Sequence, residues 1–150
     1  MCGFQIEEKQ EAQLRRIKVK DSKLLTREER EDLYPKILKI SDKYKIIIIN
    51  PQEIDRAVKG HDGLNLNWLE ADKSAEIIND LMPDKTIIDA LGNNIDKYRN
   101  YLLKKLKNKS INLILEHKAD VNYPVVSAAS ILAKVTRDAE IEKIRKEIKI

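Results

Sequence analysis

The chain has 150 residues, the size of one ordinary domain and enough to bury a core. Lys plus Arg number 29 against 25 Asp plus Glu, and the net charge of +4 is too mild to argue a nucleic-acid partner without a clustered basic face. A single cysteine, Cys2, excludes an intrachain disulfide and a cysteine metal cluster, and an aromatic fraction of 5% excludes an extended base-stacking platform.

In chain order, Met1 to Ile6 reads as a strand, with Cys2 a small buried side chain within it. It lacks the basic start and long apolar run of a secretion signal, so a cytoplasmic protein is expected. Leu14 to Val19 leads into Lys20-Asp21-Ser22-Lys23. Thr26-Arg27-Glu28-Glu29 has the form of a capping box, and the helix behind it carries Leu33, Ile37 and Ile40 at helical spacing. Tyr44 to Asn50 is β-branched and predicts a strand; Pro51 starts a short turn or helix. Lys59 to Gly63 is a loop with two glycines. Leu66 to Leu81 reads as a helix stopped by Pro83-Asp84, with Leu69, Ala75 or Lys73, Ile77 and Ile78 facing inward. Lys85 to Ala90 is the next strand, followed by the Leu91 to Asn94 turn and a helix with the stripe Ile95, Tyr98, Leu102, Leu106. Ile111 to Glu116 is a strand, and Val125 to about Ile148 the last helix. The longest apolar run, Ile46 to Ile49, is far short of a membrane span. The alternation predicts a single α/β domain over residues 1–150.

Two acids sit where strands give out: Asp89 after Thr86-Ile87-Ile88, and Asp120 shortly after Ile111 to Leu115. The carboxyl ends of strands in open α/β sheets are the usual place for sites. Carboxylates gathered there suit a hard cation such as Mg²⁺ or Mn²⁺, which takes oxygen ligands and supports phosphodiester hydrolysis. The alternative makes both aspartates turn or helix-cap residues. Pro124 suits a first helical turn, after which Ser127, Ser130 and Lys134 share a face with Arg137 nearby; that stripe suits phosphates or is a solvated face. Lys20, Ser22 and Lys23 offer ammonium and hydroxyl groups to a nucleic-acid backbone, or form a surface turn. His117 is a candidate base or ligand, or a structural residue; His61 has no evident partner, Trp68 reads as core, and Lys104 to Lys109 as a solvated helix end.

Val19-Lys20-Asp21-Ser22-Lys23-Leu24-Leu25-Thr26, Ile87-Ile88-Asp89-Ala90, Glu116-His117-Lys118-Ala119-Asp120 and the run from Tyr123 through Lys134 to Arg137-Asp138 together resemble ribonuclease HII of the archaeal type, in the family's order and at comparable spacing. The resemblance implies a ribonuclease H-like mixed sheet flanked by helices. It implies endonucleolytic hydrolysis of RNA in RNA–DNA hybrids or of DNA with embedded ribonucleotides, leaving a 5′ phosphate and 3′ hydroxyl. It also implies Mg²⁺ or Mn²⁺ bound by four carboxylates, of which Asp89 and Asp120 match the third and fourth. By the same resemblance Lys20, Ser22, Lys23, Lys118, Ser127, Ser130 and Lys134 are expected near nucleic acid. The family's first strand, bearing Gly-Ile-Asp-Glu-Ala-Gly-Arg-Gly, and its carboxyl-terminal region have no counterpart here, and Leu91-Gly92 departs from its pattern. The expectation is therefore an incomplete fold of low or no activity that self-associates through exposed sheet edges. Its alternative is a non-catalytic truncated or engineered fragment that folds and self-associates, with at most weak nucleic-acid binding.

Overall fold

The structure is a computed structural model and describes residues 1–20, 22–60, 65–90 and 94–148. The elements are β1 (Cys2–Gln5), α1 (Glu11–Arg16), α2 (Arg27–Ile40), β2 (Lys43–Ile46), α3 (Pro51–Val58), α4 (Leu66–Leu81), β3 (Lys85–Asp89), α5 (Ile95–Lys105), β4 (Asn112–Glu116), α6 (Ala119–Asn122) and α7 (Pro124–Ile148), with short 3-10 turns at Glu8–Gln10 and Ser22–Leu24. The chain groups into two compact units. One holds Met1, Gly3 and Lys45–Ala119; the other holds Cys2, Phe4–Tyr44 and the chain from Asp120. Among the described residues, β1 pairs with β2 and β3 with β4, each as a two-stranded sheet.

In the first unit, β3 and β4 run parallel, with Ile87 opposite Ile114 and Asp89 opposite Glu116. A parallel pair needs a crossover, which α5 provides. The core gathers Ala71, Ala75 and Ile78 of α4, Tyr98 and Leu102 of α5, and Leu113 and Leu115 of β4. Each fully buried leucine, such as Leu102, contributes about 1.5–3 kcal/mol by leaving water. Helix α4 starts at Asn65, whose side chain accepts the Trp68 N–H at 2.9 Å. It ends at Met82, whose left-handed backbone (φ 49°) turns the chain before Pro83. Gly3 leaves room for this helix: a Cβ there would lie 2.1 Å from Ile77 Cγ2.

The expected strand from Tyr44 to Asn50 is shorter, stopping at Ile46. The Asn50 side chain instead accepts the Glu53 N–H, and Pro51 takes the first position of α3, so the end of the β-branched run serves as a helix start. Lys59 and Gly60 close α3, while His61 to Gly63 and Leu91 to Asn93 lie outside the described residues.

In the second unit the Thr26 capping box forms as expected, with the Glu29 N–H donating to Thr26 Oγ1 and the Thr26 N–H to Glu29 Oε1. Helices α1 and α2 pack on α7 through Leu14, Leu33, Ile37, Ala128, Ile131 and Leu132. Small residues at the start of α7 allow that approach. None of the helices in the described residues is long and apolar enough to cross a membrane.

Candidate metal centre and nucleic-acid residues

Asp89 is the last residue of β3, and three hydrogen bonds fix the backbone around it. The Ala90 N–H donates to the Glu116 carbonyl at 2.9 Å, continuing the parallel ladder one step past the strand. His117 Nδ1 lies 2.8 Å from the Ala90 carbonyl; a carbonyl only accepts, so this nitrogen is the donor. The Lys118 N–H donates to Asp89 Oδ1 at 3.0 Å. Lys118 adopts φ 57°, the left-handed turn that reverses the chain after β4. His117 is thus a structural residue of this corner, one of the two readings its sequence position allowed.

Glu70 of α4 joins this corner and was not singled out from the sequence. Burial raises the pKa of its carboxyl above the ordinary value, the charge of Asp89 raises it further, and the Met1 amino group opposes both. The signal was present: Glu70 stands seven residues before Ile77, two helical turns away on the same face of α4. An acid on such a face is rarely there for packing.

Asp120 lies in α6, four residues past the end of β4, and is 7% exposed. Its carbonyl accepts the Ser127 hydroxyl, which ties α6 to the first turns of α7.

The residues expected near nucleic acid divide by exposure. Lys20, Lys23 and Lys118 are exposed and Lys134 half-buried, while Asp21 lies outside the described residues. Ser22 and Ser127 depart from the expectation. Ser22 is fully buried, its Oγ 3.0 Å from Ser130 Oγ, and Ser127 is 1% exposed with its hydroxyl spent on Asp120. The physical reason is that both hydroxyls saturate within the protein, linking α7 to the 3-10 turn at Ser22 and to α6. Trp68, read as core, is half-buried and stacks on Tyr101 with centroids 4.2 Å apart. Lys109 Nζ donates to the Leu103 and Lys104 carbonyls, so the lysine run does close the end of α5. Burial pushes the Cys2 thiol up to about 12, opposed by the nearby amino terminus, which removes it as a nucleophile.

The donor chemistry of the Asp89 corner fits a hard divalent cation. The Asp89 carboxylate lies close enough to disfavour the charge of Glu70, and Mg²⁺ is commonly held by one or two carboxylates plus waters. Among the described residues no group of three or more His, Cys, Asp or Glu side chains forms a complete protein cage.

The family profile of ribonuclease HII matches residues 1–150. The chain is 46% identical over 143 residues to ribonuclease HII of Pyrococcus furiosus, covering 95% of this chain and 62% of that protein. It matches the crystal structure of ribonuclease H2 from Pyrococcus horikoshii with a TM-score of 0.84 and 41% identity, over 95% of this chain and 66% of that one. A chain in the complex of PCNA with RNase HII from Archaeoglobus fulgidus also matches with a TM-score of 0.84, at 30% identity over 99% of this chain and 68% of that one. The chain spans about three-fifths of the length of the curated relatives it matches. Its mixed α/β architecture is shared with these solved ribonucleases, as the sequence led one to expect. With a family match along its whole length, the chain belongs to the ribonuclease HII family.

Proposed function

We propose that this chain serves divalent-metal hydrolysis of the RNA strand in RNA–DNA hybrids, or of DNA carrying embedded ribonucleotides. The observation that carries the reading is the Asp89 corner: a carboxylate at the carboxyl end of a parallel strand, oriented by the Lys118 N–H. With Oδ1 occupied by that donor, Oδ2 is the oxygen available to a metal. Asp89 and, through the family resemblance, Asp120 each contribute a carboxylate to Mg²⁺ or Mn²⁺. When bound, the cation activates water and stabilises the leaving oxygen. Lys20, Lys23, Lys118 and Lys134 supply positive charge to the substrate backbone and Ser130 a hydroxyl, and the chain acts in the cytoplasm.

In this reading turnover by this chain alone is low, with Asp89 and Asp120 the two carboxylates that the resemblance matches. The same observation favours a second reading, a folded non-catalytic module with weak nucleic-acid binding. Each strand has one strand partner among the described residues, and the proposed self-association would run through a sheet edge. Light scattering over a wide concentration range tests that part, and a monomer throughout rejects it.

The hydrolytic reading is tested under single-turnover conditions, with the chain in large excess over an end-labelled RNA–DNA hybrid and Mn²⁺ or Mg²⁺. Slow cation-dependent cleavage leaving 5′ phosphates, lost in Asp89→Asn and in Asp120→Asn, is expected. Cleavage that survives both substitutions, or no product at any excess, rejects it.

A further inference from the structure

Within the second unit, the ends of α1 and α2 frame a hollow of about 450 Å³ lined by Gln13, Arg16, Ile17, Lys36, Lys39 and Ile40. Its lining holds three cations and no carboxylate. Ile17 and Ile40 are half-buried against the unit's core and form the apolar part, while Gln13, Arg16, Lys36 and Lys39 are exposed.

Helix C-termini attract cations, so basic residues at these two ends need no ligand on that ground alone. Neighbours on the same helices show what a merely solvated cation does here. Arg15 pairs with Glu11 at 2.9 Å and Arg27 with Glu31 at 3.1 Å, each four residues apart along its helix. Arg16, Lys36 and Lys39 engage no carboxylate among the described residues, although Lys36 stands four residues after Asp32. Three unneutralised cations around one depression repel each other, a cost that an anion seated there removes. Lys36 and Lys39 lie three apart on one face of α2, with Cβ atoms about 5–6 Å apart, and Arg16 comes from the other helix. That row suits successive charges of a linear polyanion. A compact anion would need donors converging from all sides. Fixed regular charge along a strand is the property of a nucleic-acid backbone.

We propose that the Arg16–Lys36–Lys39 hollow is a sequence-independent contact for the phosphodiester backbone of a nucleic acid. It rests on the functional reading above only for the choice of polyanion. The contact adds affinity and not base selection.

The test measures binding of a fluorescent 20-base-pair hybrid, and of the same sequence as DNA duplex, to the Asp89→Asn chain by anisotropy across a salt series. The Asp89→Asn background keeps the outcome independent of cleavage. Arg16→Gln/Lys36→Gln/Lys39→Gln is expected to weaken both duplexes to the same degree and to reduce the slope of log K against log salt by about 2–3. A control removing equal charge elsewhere, Lys85→Gln/Lys104→Gln/Lys107→Gln, is expected to change the slope by less than 1. All six side chains are exposed, and circular dichroism confirms that both variants fold. An unchanged slope in the hollow variant overturns the proposal, and so does an equal drop in the control. Competition by polyglutamate in place of duplex, lost in the hollow variant, overturns it in favour of an acidic protein partner. If the chain cleaves nothing but the slope falls as stated, the hydrolytic reading fails and the backbone contact stands.

Discussion

The Lys118 amide reaches the Asp89 carboxylate at 3.0 Å only because Lys118 sits at φ 57°, a conformation that costs a residue with a Cβ about 1 kcal/mol or more. The turn after β4 therefore exchanges local strain for a fixed Asp89. Glycine adopts the same φ freely, although it gives back about 0.5–1 kcal/mol in the flexibility of the unfolded chain. Lys118→Gly should leave stability unchanged or raise it by up to about 1 kcal/mol, whereas Lys118→Val should lower it by about 1–2 kcal/mol. Urea unfolding separates these outcomes. A loss in Lys118→Gly comparable to that in Lys118→Val would show that the lysine stem, and not the backbone, holds the corner.

Glu70 predicts a pH effect of definite sign. Burial, then the charge of Asp89, raise its carboxyl pKa in the folded protein, so the native state holds more protons than the unfolded chain just above the ordinary carboxylate range. Its contribution to stability accordingly falls as pH rises through that window and stays unfavourable beyond it. Glu70→Gln should raise the urea midpoint at pH 7 and leave it unchanged at pH 3. Asp89→Asn should act in the same direction by relieving Glu70. A Glu70→Gln variant destabilised at pH 7 would mean that the carboxylate is held by a favourable contact instead.

Much of this was legible in the sequence where one residue controls one local event. Thr26 and Glu29 capped α2, Leu66 to Leu81 gave the helix its full length, and Asp89 closed its strand. The strand from Tyr44 is shorter than expected, ending at Ile46, and β-branched content did not signal that Asn50 caps α3 with Pro51 at its first position. Ser22 and Ser127 looked like surface hydroxyls because their saturating partners, Ser130 and the Asp120 carbonyl, lie 108 and 7 residues away. Glu70 was hidden by the same cause: its neighbour Asp89 belongs to a different element. Exposure of polar groups is decided by contacts between elements, and periodicity within one element does not carry it.

Ser22 and Ser130 should behave as a coupled pair. Each alanine substitution removes one partner of a hydrogen bond 3.0 Å long and strands the other, costing about 1 kcal/mol. In a double-mutant cycle the coupling should be about 0.5–1.5 kcal/mol, because the second substitution removes a hydroxyl already orphaned. If Ser22 instead served nucleic acid directly, Ser22→Ala would weaken hybrid binding and leave stability and coupling near zero.

Arg30 anchors the same turn from α2. Its Nη1 donates to the Ser22 and Leu25 carbonyls at 3.3 and 3.0 Å, and its Nη2 lies 3.5 Å from Asp138 Oδ2 in a pair only 14% and 13% exposed. Burial by itself would raise the Asp138 pKa. The hydrogen bond and charge of Arg137, with the charges of Arg27 and Arg30, outweigh it and hold the carboxyl below the ordinary range. A depressed native pKa means stability that is fully present above the unfolded value of about 3.9 and is lost as pH falls through the folded value. Asp138→Asn should therefore cost about 1–3 kcal/mol at pH 7, since it leaves a buried guanidinium without its counter-charge. The gap to the unsubstituted chain should close as pH falls through that depressed folded value and Asp138 itself becomes neutral. Arg30→Ala should lose more than Asp138→Asn, because the Ser22 and Leu25 carbonyls lose their donor as well. Equal losses for the two variants, or a gap that does not narrow as the carboxyl is titrated with acid, would show that the ion pair is incidental to the turn.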